Sequence, residues 1–273
     1  DARFCREVCR ALKIEFVSER WQRPRLRPEK TSVKNRPTKP VSEAEARAAR
    51  QAFFAAHARV VWLGHQQDDI AETMLMRLAR GSGLGGLAAP RPVQALSSGR
   101  THLRPLLTLK KAALIAALRA AGIPWREDST NAAGDFFRNR IRRDILPAWA
   151  EAARRDALAG AARSRALLEE DEAALDGWVD RLAPLDPRGG LILSKLDGEP
   201  RAIVRRALHR WVLAQRRPIE VSSQAFEALL TAVEVGRPTR HSLGAECFGE
   251  IAGGALRLVS GGKLRRKFHR GVN

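Results

Sequence analysis

Residues 59–73 read RVVWLGHQQDDIAET, and this stretch predicts the fold of the first half of the chain. Its first five residues are almost entirely apolar, which is typical of a short strand buried on both faces of a parallel sheet. The spacing of apolar residues then predicts a helix from about Gln67 to Arg80. Ligands of open α/β sheets bind beyond the carboxyl ends of the strands, so the junction near Gly64 is a candidate site.

Four polar side chains after this junction share one predicted helical face. They are His65, Asp68, Asp69 and Glu72, spaced i, i+3, i+4 and i+7. Three carboxylates and an imidazole could hold Mg²⁺ or an ammonium group, or accept a proton from an amine nucleophile. The alternative is that the two aspartates cap the helix and that Glu72 is solvated. Acidic first turns are common, so the spacing alone favours this alternative.

The flanking stretches predict an alternation of helices and strands. Helices are expected at residues 2–13, 42–57, 108–121 and 136–146, and a further strand is expected at 14–17. Ser42 and Glu45 form an S-x-x-E capping box at the start of the second of these helices. Residues 20–40 are rich in Arg, Lys and Pro and predict a long basic loop, either a solvated linker or a phosphate-contacting arm. The order implies an α/β domain with a parallel sheet over residues 1–147.

The second half of the chain predicts a mainly helical domain with a small β end over residues 148–262. Its helices are expected at 148–182, 200–215 and 223–235, and its strands at 191–193, 239–243, 246–251 and 255–259. Residues 263–273 are expected to form a basic tail.

A glycine pattern in the first domain does not indicate a dinucleotide site. Gly81, Gly83 and Gly86 match G-x-G-x-x-G, but they follow a predicted helix rather than a strand. They predict the end of that helix and a turn.

The composition indicates a polyanionic partner. Lys and Arg number 49 against 30 acidic residues, a net charge of +19. Basic side chains gain free energy by displacing counterions from phosphates, and a solvated charge excess is the alternative. Three cysteines without a CxxC pair argue against a disulfide framework or a zinc site and favour the reducing cytoplasm. No apolar run approaches the ~20 residues that cross a bilayer, and no signal peptide is recognised.

A second polar stretch, FFRNRIRR, lies at residues 136–143 and follows the turn EDSTN at 127–131. In the predicted helix Arg138 and Arg142 are i, i+4 neighbours with Asn139 beside them, and like charges stacked in this way destabilise a helix. A phosphate or carboxylate partner would remove that penalty, because guanidinium groups make bidentate contacts with either. The alternative is a solvated basic face paired with the acidic turn.

Four stretches resemble the motifs of one family, in the same order, over residues 42–150. GHQQDDIAETMLMRLARGSGLGGL is similar to AHHxDDQAET followed by RLxRGSGxxGL, and EDSTNAAGDFFRNRIRRDILP is similar to EDxSN, FxRNxIR and a final LP. RPLLTLKKAAL is similar to RPLL plus a helix, and EAEARAARQAFF resembles an ARxxRY helix with Gln51 in place of Tyr. The family is tRNA(Ile)-lysidine synthetase, a PP-loop ATP pyrophosphatase.

The resemblance implies a fold and a reaction. The fold is α/β, a parallel-sheet PP-loop domain of the adenine nucleotide alpha hydrolase type that here lacks its first strand, followed by a mainly helical domain with a small β end. The reaction is that of an ATP-dependent carbon–nitrogen ligase. ATP adenylates the C2 oxygen of the wobble cytidine in the CAU anticodon of tRNA(Ile), and the ε-amine of free L-lysine attacks C2, giving lysidine and AMP. ATP with Mg²⁺ is the implied cofactor.

The resemblance also implies roles for single residues and a setting for the protein. His65, Asp69 and Glu72 fall where the family surrounds lysine and the reacting centre, and His65 or Asp69 would take up a proton as the amine attacks. The implied substrate-binding positions are Asp68, Arg104, Arg138, Asn139 and Arg142, of which the four with basic or amide side chains would hold phosphates or RNA. A cytoplasmic bacterial protein without a membrane partner is expected, and a homodimer is one alternative for its oligomeric state.

Departures from the family leave other functions open. The SGGxDS loop that cradles the ATP phosphates does not occur in this sequence and is expected upstream of Asp1. Gln66 stands in place of the second His of the motif, and Ile70 stands in place of its Gln. The alternatives are an inactive or truncated tRNA-binding remnant of the family, or another PP-loop tRNA modifier such as a thiolase. Such enzymes commonly use catalytic cysteines, whereas Cys5 and Cys9 are predicted on an apolar helical face.

Overall fold

The computed structural model describes residues 2–21, 42–96, 98–126, 136–215, 219–244 and 246–260. The chain divides into two compact units, residues 1–169 and 170–273. The order of their elements confirms the predicted fold class, α/β followed by helices with a small β end. The acidic turn at 127–131, the basic tail and all but the first two residues of the basic loop lie outside the described residues. A functional boundary at residue 147 stays a prediction.

The first unit is built from short helices and one small sheet. Its helices are α1 (Ala2–Ala11), α2 (Glu43–His57), α3 (Gln67–Leu78), α4 (Leu84–Leu87), α5 (Lys111–Ala120), α6 (Phe137–Arg140) and α7 (Leu146–Ala153), with a π-helical turn (Ile141–Ile145) before α7. Helix α8 (Ala157–Leu182) begins in this unit and continues in the second. Strands β1 (Val60–Trp62), β2 (Val93–Ala95) and β3 (Thr101–Leu103) form a sheet in the order β1–β3–β2. Strand β1 is parallel to β3, and β2 is antiparallel to it.

The ends of two helices follow the sequence signals. The Ser42 amide donates to Glu45 Oε2 at 2.9 Å and the Glu45 amide donates to Ser42 Oγ at 3.2 Å, which confirms the predicted capping box of α2. Gly81 has a φ of +68° just after α3. A side chain is strained in that conformation, so the glycine ends the helix, as predicted.

Two expectations about strands are wrong. Val61 is 7% exposed, but Val60 is 53% and Trp62 is 72% exposed, so β1 is not buried on both faces. Successive side chains of a strand point to opposite sides of the sheet, and here only the side of Val61 is covered. Residues 14–17 form no strand, because they pair with no other described strand, and unpaired backbone groups do not support an isolated one.

The helices after residue 136 begin and end at other residues than predicted. The π-helical turn is closed by the Leu146 amide, which donates to the Ile141 carbonyl. Pro147 was expected near a helix end, but it lies in the first turn of α7, where a missing N–H leaves no bond unmade. The expected continuous helix over 148–182 is interrupted at Arg154, whose φ is +48°. Helix α8 then starts after Asp156, whose Oδ1 accepts from the Ala159 amide at 3.1 Å.

The core of the first unit fixes α3 against the π-helical turn. Its buried members come from α3, the segment before α5, the π-helical turn, α7 and α8, and they are Ile70, Ala71, Met76, Leu107, Ile141, Leu146 and Ala161. Ile70 and Ile141 are each only 2% exposed. Burial of these two side chains in one core therefore fixes the orientation of α3 relative to the arginine-rich segment.

The second unit confirms the predicted β end. After β4 (Leu191–Ile192) and a 3₁₀ turn (Leu193–Lys195) come α9 (Arg201–Leu213), α10 (Ser223–Val235), β5 (Thr239–Gly244), β6 (Cys247–Ala252) and β7 (Ala255–Ser260). The four strands form an antiparallel sheet in the order β4–β7–β6–β5. In the part of the chain that the structure describes, no helix has both the length and the apolar character needed to span a membrane.

The core of the second unit gives a first testable prediction. Trp211 is 0% exposed, and its Nε1 donates to the Gly189 carbonyl at 3.0 Å. Trp211→Phe removes this bond and leaves both an unpaired carbonyl and a small cavity. We expect the free energy of unfolding to fall by about 1–3 kcal/mol in urea denaturation. Trp178→Phe is the matched control, because Trp178 is 38% exposed, and a change within about 0.5 kcal/mol is expected there. Equal losses in the two variants would contradict this account.

Candidate functional site

The site begins where β1 ends. The Leu63 amide donates to the Leu103 carbonyl at 2.8 Å, which prolongs the pairing of β1 with β3, and α3 starts four residues later. Asp69 Oδ2 accepts from the Gln66 amide at 2.8 Å, so Asp69 caps its own helix. Asp68 Oδ2 instead accepts from the Lys111 amide at 2.9 Å and caps α5. The alternative, in which both aspartates cap α3 and Glu72 is solvated, therefore holds for Asp69 only, because Asp68 caps another helix and the Glu72 side chain is 0% exposed.

Glu72 links the two polar motifs of the sequence. Its side chain is 0% exposed, and it accepts from Arg138 Nε at 2.7 Å and from Arg142 Nε at 2.6 Å. Arg142 Nη2 adds a second bond to Glu72 at 3.0 Å. Arg138 Nη2 also donates to Asp69 Oδ1 at 2.8 Å. The arginines that follow the acidic motif by some seventy residues thus lie directly on it.

The sequence brings these groups together through Ile141. This residue lies between Arg138 and Arg142 and is buried with Ile70 of α3 in the core. Because Ile141 packs inward, the two arginines on either side of it reach α3. The like charges that would destabilise an isolated helix are separated and neutralised by the two carboxylates.

The cluster is electrically balanced. Two guanidinium groups, Arg138 and Arg142, meet two carboxylates, Asp69 and Glu72, so no large net charge is buried. The hydrogen bond to Glu72 raises the pKa of Arg142 above its usual value, although burial acts in the opposite direction. Both arginines are about one third exposed, and they therefore keep a side toward solvent.

A cleft of about 510 Å³ adjoins the cluster. Four of the predicted site residues line it, namely Asp68, Asp69, Glu72 and Arg142. Its other walls come from the loop after β1, the start of α5, and α7 and α8, and they are Gly64, Gln66, Lys111, Leu146, Pro147, Ala150 and Leu158. Lys111 was not predicted as a site residue. The pair of lysines directly after RPLLTL was the signal that could have suggested it.

The remaining predicted residues lie beside the cleft rather than in its wall. Arg138 does not line the cleft but donates to Glu72 and Asp69, which do. Asn139 is half-buried, and its amide donates to the Phe136 carbonyl at 3.0 Å in α6. His65 and Arg104 form a pair, in which Arg104 Nε donates to His65 Nδ1 at 3.1 Å.

Burial and charge both act on His65. Burial is the main reason that its pKa lies below the ordinary value of 6.5. The carboxylate of Asp69 raises this pKa, and the cations of Arg104, Arg138 and Arg50 lower it. Within the described residues, no group of three or more His, Cys, Asp or Glu side chains is arranged to hold a metal ion.

Comparison with known proteins shows that the first part of the chain is a PP-loop domain. The family model of the PP-loop domain matches residues 1–149. These residues contain β1, the acidic motif of α3 and the arginines that pair with it.

Similar proteins then identify the family. The chain is 38% identical over 226 residues to a tRNA(Ile)-lysidine synthase of Geobacter sulfurreducens, which covers 78% of this chain and 45% of that protein. It is 38% identical over 240 residues to one of Methylobacterium sp. (81% of this chain and 68% of the relative) and 40% identical over 201 residues to one of Azoarcus sp. (71% and 40%). The chain belongs to the tRNA(Ile)-lysidine synthase family. It spans less than half the length of the Geobacter and Azoarcus relatives.

Proposed function

We propose that this chain carries the lysine-binding half of an ATP-dependent ligase that joins free L-lysine to C2 of the wobble cytidine in the CAU anticodon of tRNA(Ile). ATP would supply the adenylyl group that activates the C2 oxygen. The observation that carries the proposal is the contact of Glu72 with Arg138 and Arg142. This contact brings the two motifs of the family together at the carboxyl end of β1, where sheet proteins of this type bind ligands.

The acidic residues differ in exposure, and we assign them different roles accordingly. Glu72 is fully buried and engaged by two arginines, so it holds them in place. Asp69 is 16% exposed at its side chain and lines the cleft, as does Asp68. Asp69 is the carboxylate that would receive the ε-ammonium of lysine and take up its proton as the amine attacks C2.

The basic residues of the cleft fit polyphosphate and RNA. Lys111 and Arg142 face the same space as the two aspartates. Gly64 adjoins them at the end of β1, and a Cβ built there would meet no atom within 4 Å, so the backbone can approach a ligand closely. Mg²⁺ usually takes one or two carboxylates together with phosphate oxygens, and Asp68 could supply one of them. The net charge of +19 favours a tRNA partner, because basic side chains gain free energy by displacing counterions from its phosphates.

Lysine incorporation tests the proposed function. The protein that contains this chain is incubated with ATP, labelled lysine and a tRNA(Ile) transcript with a CAU anticodon, and the modified nucleoside is identified by mass spectrometry. We expect label at the wobble cytidine, dependent on ATP, and none on a transcript with a GAU anticodon. Label on both transcripts, or on neither, would contradict the proposal.

A second candidate function is a tRNA-binding remnant without catalysis. It is favoured by Gln66 and Ile70, which replace two polar side chains of the family motif. Ile70 is 2% exposed and is part of the core, so it offers the cleft no polar group. Tight tRNA binding without any incorporation of lysine would support this candidate and exclude the ligase.

Arg142 gives a prediction that concerns RNA binding. It lines the cleft and is 37% exposed, so one side of its guanidinium can meet a phosphate. We expect Arg142→Ala to weaken tRNA binding and to reduce the slope of log affinity against log salt by about 1. Arg143→Ala is the control, because Arg143 is 60% exposed and pairs with the adjacent Asp144. A fluorescence titration at several salt concentrations measures both, and an unchanged slope for Arg142→Ala would show that this arginine contacts no phosphate.

A further inference from the structure

We infer that Arg104 is a positioning residue that holds His65 neutral with its ring proton on Nε2, so that His65 presents an N–H donor, and not a basic nitrogen, beside the cleft. The inference deepens the proposed function and rests on it for the identity of the group that meets Nε2. It replaces the expectation that Arg104 contacts phosphate and that His65 accepts a proton.

The guanidinium of Arg104 is fixed by protein acceptors on three sides. Its Nη1 donates to the Arg91 carbonyl at 2.7 Å, its Nη2 to Gln94 Oε1 at 3.0 Å and its Nε to His65 Nδ1 at 3.1 Å. The residue is only 8% exposed. Three of the five N–H groups of the guanidinium are thus bonded to protein acceptors, and these bonds fix Arg104 in the orientation in which it contacts the imidazole.

The chemistry of the two groups determines the tautomer. Guanidinium stays protonated in proteins and has no acceptor, so its Nε can only donate. The Nδ1 atom that receives this bond must therefore carry a lone pair, and a neutral imidazole then has its proton on Nε2. Protonation of Nδ1 would bring two N–H groups face to face and would add a cation beside a buried one.

The surroundings of His65 act in the same direction. Burial lowers its pKa most, and the cations of Arg104, Arg138 and Arg50 lower it further, whereas Asp69 alone among the groups acting on it raises it. These groups come from α2, α3, α6 and the segment after β3, the elements around the ring. The neutral form is therefore favoured at neutral pH, and Asp69 remains as the carboxylate that can take a proton.

A neutral N–H donor has a defined use in this reaction. Nε2 of His65 makes no hydrogen bond to the residues that the structure describes. A fixed donor stabilises an oxygen that gains negative charge, and it does so without a reorganisation of the site. The oxygens that leave with AMP, or those of the polyphosphate, are of this chemical class.

Nitrogen NMR of the imidazole tests the tautomer without any activity measurement. The protein is labelled with ¹⁵N-histidine, and His65 is assigned by the signals that disappear in His65→Gln. We expect Nδ1 to show the chemical shift of an unprotonated ring nitrogen and Nε2 that of a protonated one, between pH 6 and 8. An Nδ1–H signal in the unmodified protein would overturn the inference, and the proposed function would still stand.

Two arginine variants separate the hydrogen bond from the charge. Arg104→Gln replaces a group that can only donate by an amide that can also accept from Nδ1–H, and we expect a mixture of the two tautomers of His65. Arg50→Gln removes a charge that acts on His65 but leaves the bond from Arg104, and we expect the pKa of His65 to rise with no change of tautomer. If Arg104→Gln keeps a pure Nε2–H tautomer, Arg104 does not position the ring.

Activity distinguishes a donor from a base. A glutamine amide reaches the position of Nε2 and can donate there, whereas the shorter asparagine amide reaches only the position of Nδ1. We expect His65→Gln to retain at least about tenfold more lysine incorporation than His65→Asn, because it keeps the donor. Equal activities of the two variants, with a normal tautomer by NMR, would show that Nε2–H meets no reacting group.

The pH dependence of stability provides a further readout. Since the pKa of His65 is lower in the folded protein than its ordinary 6.5, the unfolded chain binds the proton first as the pH falls. The contribution of neutral His65 to stability is therefore complete above pH 6.5 and is lost as the pH falls through the folded-state pKa. We expect the difference in urea midpoint between the unmodified protein and His65→Gln to shrink from pH 7 to pH 5. A constant difference would contradict a depressed pKa.

Discussion

Replacing Glu72 with glutamine is expected to have the largest effect on stability of any change in the site. The carboxylate is 0% exposed and accepts three hydrogen bonds from Arg138 and Arg142. The amide keeps the size of the side chain but turns an NH₂ group toward one guanidinium and leaves Asp69 as the one carboxylate of the cluster beside two cations. We expect the free energy of unfolding to fall by about 2–4 kcal/mol, somewhat below the loss for a wholly buried pair, because both arginines are partly exposed.

The same substitution should also abolish most of the lysine incorporation. Without Glu72 the two arginines no longer hold one orientation beside Asp69, and misplaced groups commonly lower rates by about a hundredfold. Urea denaturation and the incorporation assay are measured in parallel on Glu72→Gln and on Glu151→Gln, an exposed glutamate of α7 that serves as the control. A Glu72→Gln protein as stable as the control would show that the four-residue cluster does not hold the site together.

Asp69→Asn is expected to give the largest loss of activity with a smaller loss of stability than Glu72→Gln, because Arg138 loses its bond to Asp69 but keeps its bond to Glu72. The asparagine oxygen can still accept from the Gln66 amide, which Asp69 Oδ2 contacts at 2.8 Å, so the cap of α3 is kept. The amide cannot take up the proton of the attacking amine. Loss of a general base lowers a rate by about 10²–10⁴, and we expect lysine incorporation to fall within that range while tRNA binding stays nearly unchanged.

The control for this prediction is Asp144→Asn. Asp144 pairs with Arg143 and is 47% exposed at its side chain, away from the cluster. Incorporation by Asp69→Asn at the level of this control would remove Asp69 from the mechanism. A loss of tRNA affinity as large as the loss of incorporation would instead mean that Asp69 orders the arginines and has no separate chemical role.

The sequence predicted most of the elements that surround the site. The capping box of Ser42 and Glu45 located the start of α2, and the apolar run with the acidic turn after it located β1 and α3. These signals are local, since each depends on residues within one or two turns of the chain. Four polar side chains were likewise expected to share one helical face. His65 lies before the start of α3, and the other three, Asp68, Asp69 and Glu72, lie on α3 and line the cleft.

The contacts of that face could not be read from the sequence. Periodicity shows which side chains share a face but not what lies opposite, so the pairing of Glu72 with two arginines was missed. The bonds of Arg104 were not predicted either, because nothing local reveals that the Arg91 carbonyl and Gln94 come within reach of its guanidinium. The exposure of Trp62 was unexpected for a similar reason, since burial depends on what covers a strand as well as on its composition.

The π-helical turn between α6 and α7 makes the length of this segment as important as its composition. It holds one residue more than an α-helical turn would, and it is closed by the bond from the Leu146 amide to the Ile141 carbonyl. Deletion of one residue between them would give an α-helical turn, in which the Leu146 amide still reaches the Ile141 carbonyl, now four residues back. Arg138 would keep its place, and Leu146 and Pro147 would stay in the wall of the cleft. A second deletion would have no extra residue to remove and would rotate everything that follows by about 100°. Homologous chains should therefore differ by one residue at this turn more readily than by two.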